Sequence, residues 1–281
     1  MKFGANTYIW TSPFRTEEIG LLKKVKEMGF DLIEIPPENA SLIDLKKVRA
    51  ELKATGLDCS ILCAYGASRD ISAEEPSVQK AGVQFIENCI RVAAELGSEM
   101  VCGPIYAGIG NLRPYSDEDR KKQWERSATN LKRVADVAKR DGVTLAIEPI
   151  NRFETDLINT AEYAIRMVED IGHPQLKIQL DTFHMNIEEK SIGQAIRKTG
   201  KYLAHLHTCE NDRGIPGTGH VPWTEVKEAL QAIGYNGYAV IESFTPKTKE
   251  IAKAACTWRP LASGQDALAM EGLRFLKKLF A

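Results

Sequence analysis

Residues 143–181 read VTLAIEPINRFETDLINTAEYAIRMVEDIGHPQLKIQLD, with two short apolar runs on either side of a longer stretch of helical periodicity. The two runs, 143–149 and 176–181, have the length and the apolar content of buried β-strands. Gly172 precedes the second run, at a place where glycine can end a helix because it adopts positive φ without a Cβ clash. The segment therefore predicts one strand–helix–strand unit.

Units of this kind recur along the whole chain, and a glycine stands near the end of most helical stretches. Eight such units in 281 residues match a (β/α)8 TIM barrel, which typically takes roughly 250 residues. An open doubly wound sheet is the alternative, but the turn after the first predicted strand, YIWTSPF, is not a glycine-rich phosphate turn. We therefore predict an α/β protein whose residues 1–281 form a single TIM-barrel domain. The predicted strands are 2–8, 31–35, 58–65, 99–105, 143–149, 176–181, 202–208 and 237–243.

Composition and charge narrow the classes of function. A formal net charge of −1 argues against a dedicated nucleic-acid surface, which normally carries an excess of basic residues. The six cysteines follow no zinc or redox spacing, so reduced thiols are expected. The sequence shows neither the apolar region of a signal peptide nor an apolar run long enough to span a bilayer. We expect a cytoplasmic protein that binds neither nucleic acid nor membrane.

Each of the last four predicted strands ends in a polar residue: Glu148, Asp181, His207 and Glu242. In a TIM barrel the carboxyl ends of the strands form the active-site mouth, so these side chains are expected to converge. One such acid alone is more often a solvated loop residue, but three buried carboxylates repel one another and need a positive charge. The strand ends provide no lysine or arginine, which favours a divalent metal ion, and this oxygen-rich set suits Mn²⁺, Mg²⁺ or Co²⁺. His205, two residues before His207, is expected to be a core residue.

Several sequence blocks in the right order resemble the D-tagatose 3-epimerase family of ketose 3-epimerases, which are xylose-isomerase-like TIM barrels. The blocks are EPINRFETD, LDTFHMNIEE, HLHTCENDRGIPGTG and IESF, and the resemblance is densest over residues 143–244. It implies a carbohydrate epimerase of the isomerase class that inverts C3 of a free ketohexose or ketopentose of the D-psicose/D-fructose, D-tagatose or L-ribulose type. Deprotonation next to the C2 carbonyl and reprotonation on the other face would pass through a cis-enediolate.

The resemblance also implies roles for individual residues. The four strand-end residues would hold one divalent metal ion, typically Mn²⁺, with Co²⁺ or Mg²⁺ as alternatives. Glu148 and Glu242 among them would be the two catalytic acid/bases. Glu154, His184 and Arg213 would bind the polar C1–C3 end of the sugar. The family further implies a homodimer or a homotetramer.

The match is weaker in the segments that would select the substrate. Sugar epimerases of the family often have an aromatic residue near position 6, whereas this chain has Asn6, with Tyr8 close by. The segment CGPIYAGIGN after the fourth predicted strand also differs, and its Tyr106 is expected to form an apolar wall with Phe244. The resemblance therefore does not predict which ketose is preferred.

Three other functions are compatible with the same barrel. A related isomerase or epimerase would use the same chemistry at another carbon of a sugar or sugar phosphate. The loop RGIPGTG, residues 213–219, could cradle a phosphate, although a plain flexible loop is the preferred interpretation. A DNA-repair endonuclease would need more histidines and a more basic groove than this near-neutral chain offers. A carbohydrate-binding barrel without activity would not need the acids at 148 and 242.

Overall fold

The computed structural model describes residues 1–281, and eight strands form a closed, entirely parallel barrel. The strands are β1 (Lys2–Asn6), β2 (Leu32–Ile35), β3 (Asp58–Leu62), β4 (Met100–Gly103), β5 (Thr144–Ile147), β6 (Leu176–Asp181), β7 (Leu203–His207) and β8 (Tyr238–Ile241). Each strand pairs with the next one in chain order, and β1 closes the barrel against β8. The predicted TIM barrel is therefore confirmed.

The connections between the strands are largely helical, and the chain ends in a long helix. The helices are α1 (Gly20–Glu27), α2 (Leu45–Thr55), α3 (Pro76–Leu96), α4 (Asp117–Arg140), α5 (Ala161–Ile171), α6 (Thr182–Glu188), α7 (Ile192–Thr199), α8 (Trp223–Ala232), α9 (Lys249–Ala254) and α10 (Gln265–Phe280). The short helix α6 starts directly after β6, so its residues lie at the mouth of the barrel. No helix combines the length and the apolar character needed to cross a membrane.

Apolar side chains fill the space between the strands and the helices as one continuous cluster of buried residues. Gly103, at the end of β4, shows how closely neighbouring chain segments approach at the mouth. Its φ is +120°, and a Cβ at this position would lie 2.7 Å from the carbonyl oxygen of Cys63. Because only glycine tolerates both conditions, the segments after β3 and β4 can pack directly against each other.

The loops that follow β3, β4 and β5 are joined to one another at the mouth. Short parallel bridges pair Gly66 with Ile109 and Asn111 with Thr155. Since the carboxyl ends of all eight parallel strands lie at the same end of the barrel, these bridges turn three separate loops into one wall. The polar strand ends described below open toward the space that this wall encloses.

Candidate active site

The four polar strand ends predicted from the sequence meet at the mouth of the barrel. Asp181 and His207 are the last residues of β6 and β7, and Glu148 and Glu242 directly follow β5 and β8. All four residues are buried. Nδ1 of His207 lies 3.5 Å from Oε2 of Glu242, 3.8 Å from Oε1 of Glu148 and 3.8 Å from Oδ2 of Asp181. The structure therefore brings the four residues around one point.

Two atoms of this group have no hydrogen-bond partner. They are Nδ1 of His207 and Oε1 of Glu148, and both are buried. A buried polar atom without a partner destabilises the protein, and both atoms are of types that bind metal ions. The ligand atoms of Asp181, His207 and Glu242 also lie within 4.8 Å of one another. The donor set thus fits one divalent cation with one nitrogen ligand and three carboxylate ligands.

Arg213 lies among these acids, although the strand ends themselves contain no basic residue. Its Nη1 donates hydrogen bonds to Oδ2 of Asp181 (2.6 Å) and to Oε2 of Glu242 (2.8 Å). The residue has a φ of +65°, which is a strained conformation for a side chain with a Cβ. Ser243 helps to hold it, because its hydroxyl donates to the carbonyl oxygen of Arg213 (2.7 Å). The loop after β7 thus places the positive charge of Arg213 next to two of the three carboxylates.

The other two residues predicted to bind the sugar lie beside this group. Nε2 of His184, in α6, is 3.1 Å from Nη2 of Arg213. The backbone N–H of Asn151 donates to Nδ1 of His184 (3.1 Å), which puts the proton of the neutral ring on Nε2. Two donors are therefore adjacent, and a ligand oxygen bound beside the pair would accept from both. Glu154 accepts from Nδ2 of Asn151 (2.7 Å) and lines the same cavity.

Burial and neighbouring charges shift the pKa values of these groups in different directions. Burial raises the pKa of Glu148 well above its ordinary value, and the nearby Asp181 and Glu242 carboxylates add to the rise. Burial also acts to raise the pKa of Asp181, but the Arg213 guanidinium, His207 and His184 together outweigh it and hold that pKa far below its usual range. Burial and the adjacent Arg213 lower the pKa of His184 to about 3. The His184 imidazole is therefore neutral at neutral pH.

One acid that contacts the site was not predicted from the sequence. Glu34, in the middle of β2, is fully buried inside the barrel. Its Oε1 lies 2.7 Å from Nε2 of His207, and its Oε2 lies 2.8 Å from Nε2 of His205. Asn6 and Ser60 donate to the same carboxylate at 2.9 and 2.8 Å. The contact with His207 leaves the other ring nitrogen of that residue facing the mouth, and His205 is a core residue, as expected.

A cavity of about 430 Å³ opens onto this group. Tyr8 and Phe244 belong to its apolar lining, and their ring centroids are 5.5 Å apart. Tyr106 lies outside it, since the residue is fully buried and its hydroxyl donates to the carbonyl oxygen of Ile158 (2.7 Å). The prediction that Tyr106 forms a wall with Phe244 is therefore wrong, because the loop after β4 turns this side chain into the core. The charged and imidazole side chains of the lining are Glu38, Glu148, Glu154, His184, Arg213 and Glu242.

The loop of residues 213–219 does not offer a phosphate cradle. Glu210 is fully buried and accepts hydrogen bonds from the backbone N–H of Gly217 (2.8 Å) and from Nε1 of Trp223 (2.6 Å). It also accepts from the backbone N–H of Val221 (3.3 Å). A carboxylate of the chain itself thus occupies the place that a phosphate would need among these donors.

The known proteins that are similar to this chain in sequence and structure include several sugar epimerases. A family model described as Xylose isomerase-like TIM barrel matches residues 22–279. The D-psicose 3-epimerase of Ruminiclostridium cellulolyticum is 35% identical over 269 residues, which cover 95% of this chain and 92% of that protein. The L-ribulose 3-epimerase of Mesorhizobium japonicum is 33% identical over 278 residues, or 98% of this chain and 93% of that protein. The crystal structure of D-psicose 3-epimerase with D-tagatose from Clostridium cellulolyticum H10 superposes with a TM-score of 0.93 at 33% identity, covering 100% of this chain and 99% of that one.

Proposed function

Because the chain belongs to the ketose 3-epimerase family of xylose isomerase-like TIM barrels and is a carbohydrate epimerase, we propose that it inverts C3 of a free ketose. The substrate would be a ketohexose or ketopentose of the D-psicose/D-fructose, D-tagatose or L-ribulose type. The observation that carries the proposal is that Glu148 and Glu242 both approach Nδ1 of His207, to 3.8 and 3.5 Å. Inversion needs such a pair, since one group removes the proton at C3 and another returns a proton to the opposite face.

We further propose that Glu148, Asp181, His207 and Glu242 hold one divalent cation, with Mn²⁺ favoured and Co²⁺ or Mg²⁺ as alternatives. The support is the donor set and its two buried atoms without partners. When bound, the cation would act as a Lewis acid toward substrate oxygens. Dialysis against a chelator is therefore expected to abolish activity and to lower the melting temperature, with metal content measured by mass spectrometry. Full activity in protein shown to be free of metal would refute a catalytic ion.

The remaining residues of the site would bind and orient the C1–C3 end of the sugar. Nε2 of His184 and Nη2 of Arg213 are adjacent donors, so an oxygen bound beside both would be stabilised as negative charge develops on it. Glu154, whose pKa is raised by burial, would accept a hydrogen bond from a hydroxyl at the same end. Since β5 and β8 stand three strands apart, Glu148 and Glu242 would reach C3 from different sides and exchange roles in the reverse reaction.

The charges of the cavity favour a neutral sugar over a phosphorylated one. Four carboxylates line the cavity, together with a single guanidinium that already binds Asp181 and Glu242. A phosphate monoester would add about two negative charges to a cavity without a free basic side chain. The donors around the loop 213–219 are bound by Glu210 instead.

Hydrogen exchange at carbon tests the proposed reaction. Metal-loaded enzyme in D₂O is incubated with D-fructose, D-psicose, D-tagatose and L-ribulose, and the position of the label is read by NMR. We expect deuterium at C3 together with formation of the C3 epimer. Label confined to C1, interconversion with an aldose, or inversion at C4 would instead establish another reaction of the same barrel.

Glu242→Gln tests the proposed role of one acid/base. The substitution keeps the shape of the side chain but removes a group that can take up a proton, so inversion of C3 is expected to stop while the circular dichroism spectrum stays that of a folded barrel. Wild-type activity in Glu242→Gln would remove this residue from the mechanism.

We propose a homodimer or homotetramer, as the family resemblance implies. The surface offers one supporting feature: Leu112 and Phe153 are 52% and 71% exposed. Their loops are joined by the bridge between Asn111 and Thr155, so the two side chains belong to one region of the surface. Size-exclusion chromatography with light scattering measures the mass, and a monomer at micromolar concentrations would contradict the proposal.

A further inference from the structure

Glu38 is the one charged residue on the side of the cavity that faces the predicted metal ligands. It follows β2, and in a closed barrel of eight strands in chain order β2 lies opposite β6, which ends in Asp181. The same cavity is lined by Glu148 and Glu242, which follow β5 and β8, and by Glu38, which follows β2. A substrate whose reacting carbons contact the two acids can therefore reach Glu38 with the remainder of its carbon chain.

The surroundings of Glu38 leave its carboxylate with free acceptor positions. The other residues of this wall are mostly apolar or aromatic and include Tyr8, Leu62 and Tyr65. Oγ of Ser12 lies 3.0 Å from both carboxylate oxygens, and the Tyr8 hydroxyl is a second donor next to this carboxylate. Two donors leave about half of the roughly four acceptor positions of an ionised carboxylate free. Burial raises the pKa of Glu38, as expected for a half-buried acid in apolar surroundings. A strong acceptor thus faces the cavity with part of its hydrogen-bonding capacity unused.

We propose that Glu38 is a specificity-determining residue that accepts a hydrogen bond from a substrate hydroxyl beyond C3. This assignment depends on the proposed function, because C3 chemistry at Glu148 and Glu242 sets which end of the sugar reaches Glu38. An apolar wall with one acceptor selects a sugar that carries a hydroxyl group next to Glu38 and C–H groups along the rest of the wall. It also excludes sugar phosphates and sugar acids, whose negative charge would lie next to a carboxylate without any basic side chain nearby.

Two variants of Glu38 and one control separate substrate recognition from packing. Glu38→Gln keeps an acceptor oxygen and the side-chain shape but removes the charge, and Glu38→Ala removes the acceptor. Glu95→Gln, at an exposed acid of α3 outside the cavity, is the matched control. Metal content and melting temperature are measured for all three variants. A role confined to holding Ser12 would lower the melting temperature without changing the preference among substrates.

The substrates are D-psicose and its 4-, 5- and 6-deoxy analogues, each measured by calorimetric binding and by kcat and KM. Glu38→Ala is expected to weaken binding of D-psicose and to lower its kcat/KM roughly tenfold or more, the size of one hydrogen bond to a charged acceptor, mainly through KM. One deoxy analogue is expected to show that loss already with the wild-type enzyme, and Glu38→Ala should then add little. The kcat/KM of Glu38→Gln for D-psicose should lie between the values of the wild type and Glu38→Ala. Glu38→Gln should also bind D-fructose 6-phosphate better than the wild type does.

The assignment of Glu38 is overturned if the ratio of wild-type to Glu38→Ala affinity is the same for D-psicose and all three analogues. Wild-type binding of D-fructose 6-phosphate as tight as that of D-fructose would overturn it as well. The calorimetric arm does not depend on turnover. If the wild-type enzyme binds ketoses but exchanges no hydrogen at C3, the proposed reaction fails, and the binding ratios still decide the role of Glu38.

Discussion

Replacing Glu34 by glutamine tests whether this buried carboxylate controls the metal affinity of His207. Oε1 of Glu34 accepts from Nε2 of His207 (2.7 Å) and Nδ2 of Asn6 (2.9 Å). Oε2 accepts from Nε2 of His205 (2.8 Å) and Oγ of Ser60 (2.8 Å). A glutamine of the same shape has one oxygen and one NH₂ group. The NH₂ group must therefore replace Oε1 or Oε2, and at that position it faces two hydrogen-bond donors instead of acceptors.

The NH₂ group has one orientation that disturbs the site less than the other. If it faced His207, it would push the proton of that ring to Nδ1, the atom that faces the three acids, and the ring could no longer bind a cation there. If it faces His205, that ring can move its proton to its own Nδ1, which has no partner, and the hydroxyl of Ser60 can rotate to accept. We expect the second orientation, with the contact to His207 kept but made to a neutral amide oxygen.

The size of the effect follows from what each substitution removes. Loss of the partner behind a metal-binding histidine typically weakens metal affinity about 10–100-fold, and glutamine, which keeps an acceptor, is expected near the lower end, about tenfold or 1.4 kcal/mol. Glu34→Ala leaves four buried donors without an acceptor, at roughly 1–3 kcal/mol each. Their sum, about 4–12 kcal/mol, is comparable to the whole stability of a typical domain, about 5–15 kcal/mol. Glu34→Ala is therefore expected not to fold stably.

Competition with a fluorescent chelator gives the Mn²⁺ dissociation constant of the wild type, Glu34→Gln and the exposed control Glu95→Gln. We expect a tenfold weaker constant for Glu34→Gln, an unchanged one for Glu95→Gln, and a folded metal-free protein in each case by circular dichroism. A folded Glu34→Gln protein with wild-type Mn²⁺ affinity would refute the idea that Glu34 orients His207. An equal loss in Glu95→Gln would show that the effect is one of overall charge.

The loops around the mouth provide three further tests. Gly217→Ala is expected to lower the melting temperature by several degrees, because φ is +91° and a Cβ would overlap the ring of Phe275; an unchanged calorimetric transition would contradict this. Glu210→Gln puts an NH₂ group among the N–H donors of its loop, so kcat/KM should fall roughly tenfold, whereas unaltered kinetics would show that the loop does not need the carboxylate. Burial acts to raise the pKa of Asp156, but the hydrogen bonds from Arg113 and Gln123 and the charge of Arg113 together outweigh burial and hold that pKa below its ordinary value. Its contribution to the free energy of unfolding is thus complete above about pH 4 and is lost as the pH falls toward the folded-state pKa, so Asp156→Asn should flatten the acid limb of stability in urea titrations, and an identical acid limb would contradict it.

The barrel and the four strand ends could be predicted because both follow from the order of elements along the chain. Glu148, Asp181, His207 and Glu242 each stand at the end of an apolar run, and consecutive parallel strands of a barrel are neighbours. Their meeting needs no knowledge of how any loop folds. The same reasoning fails for Tyr106, whose direction depends on the path of the loop after β4.

Glu34 and Arg213 illustrate what a local pattern does not contain. Glu34 stands inside the run DLIEI, where a buried parallel strand is normally apolar throughout, and this irregularity was the available signal. Its partner His207 is 173 positions away along the chain and three strands away around the barrel, so only the closed topology joins them. Arg213 reaches the acids because its backbone adopts a left-handed conformation. An arginine in a sequence does not predict that conformation.

Arg213 also changes the reason for expecting a metal ion. The sequence suggested that repulsion among three acids demands a cation, yet Nη1 of Arg213 already binds two of them, Asp181 and Glu242. His207 makes the stronger case, because its Nε2 is taken by Glu34 and its Nδ1 lies 3.5–3.8 Å from three carboxylate oxygens without a hydrogen bond. A protonated Nδ1 would be too far from these oxygens to donate well, and an unprotonated one presents a lone pair to three other acceptors. A guanidinium cannot satisfy that lone pair and also Oε1 of Glu148 from its present position, whereas one divalent cation bound among the four residues would satisfy both.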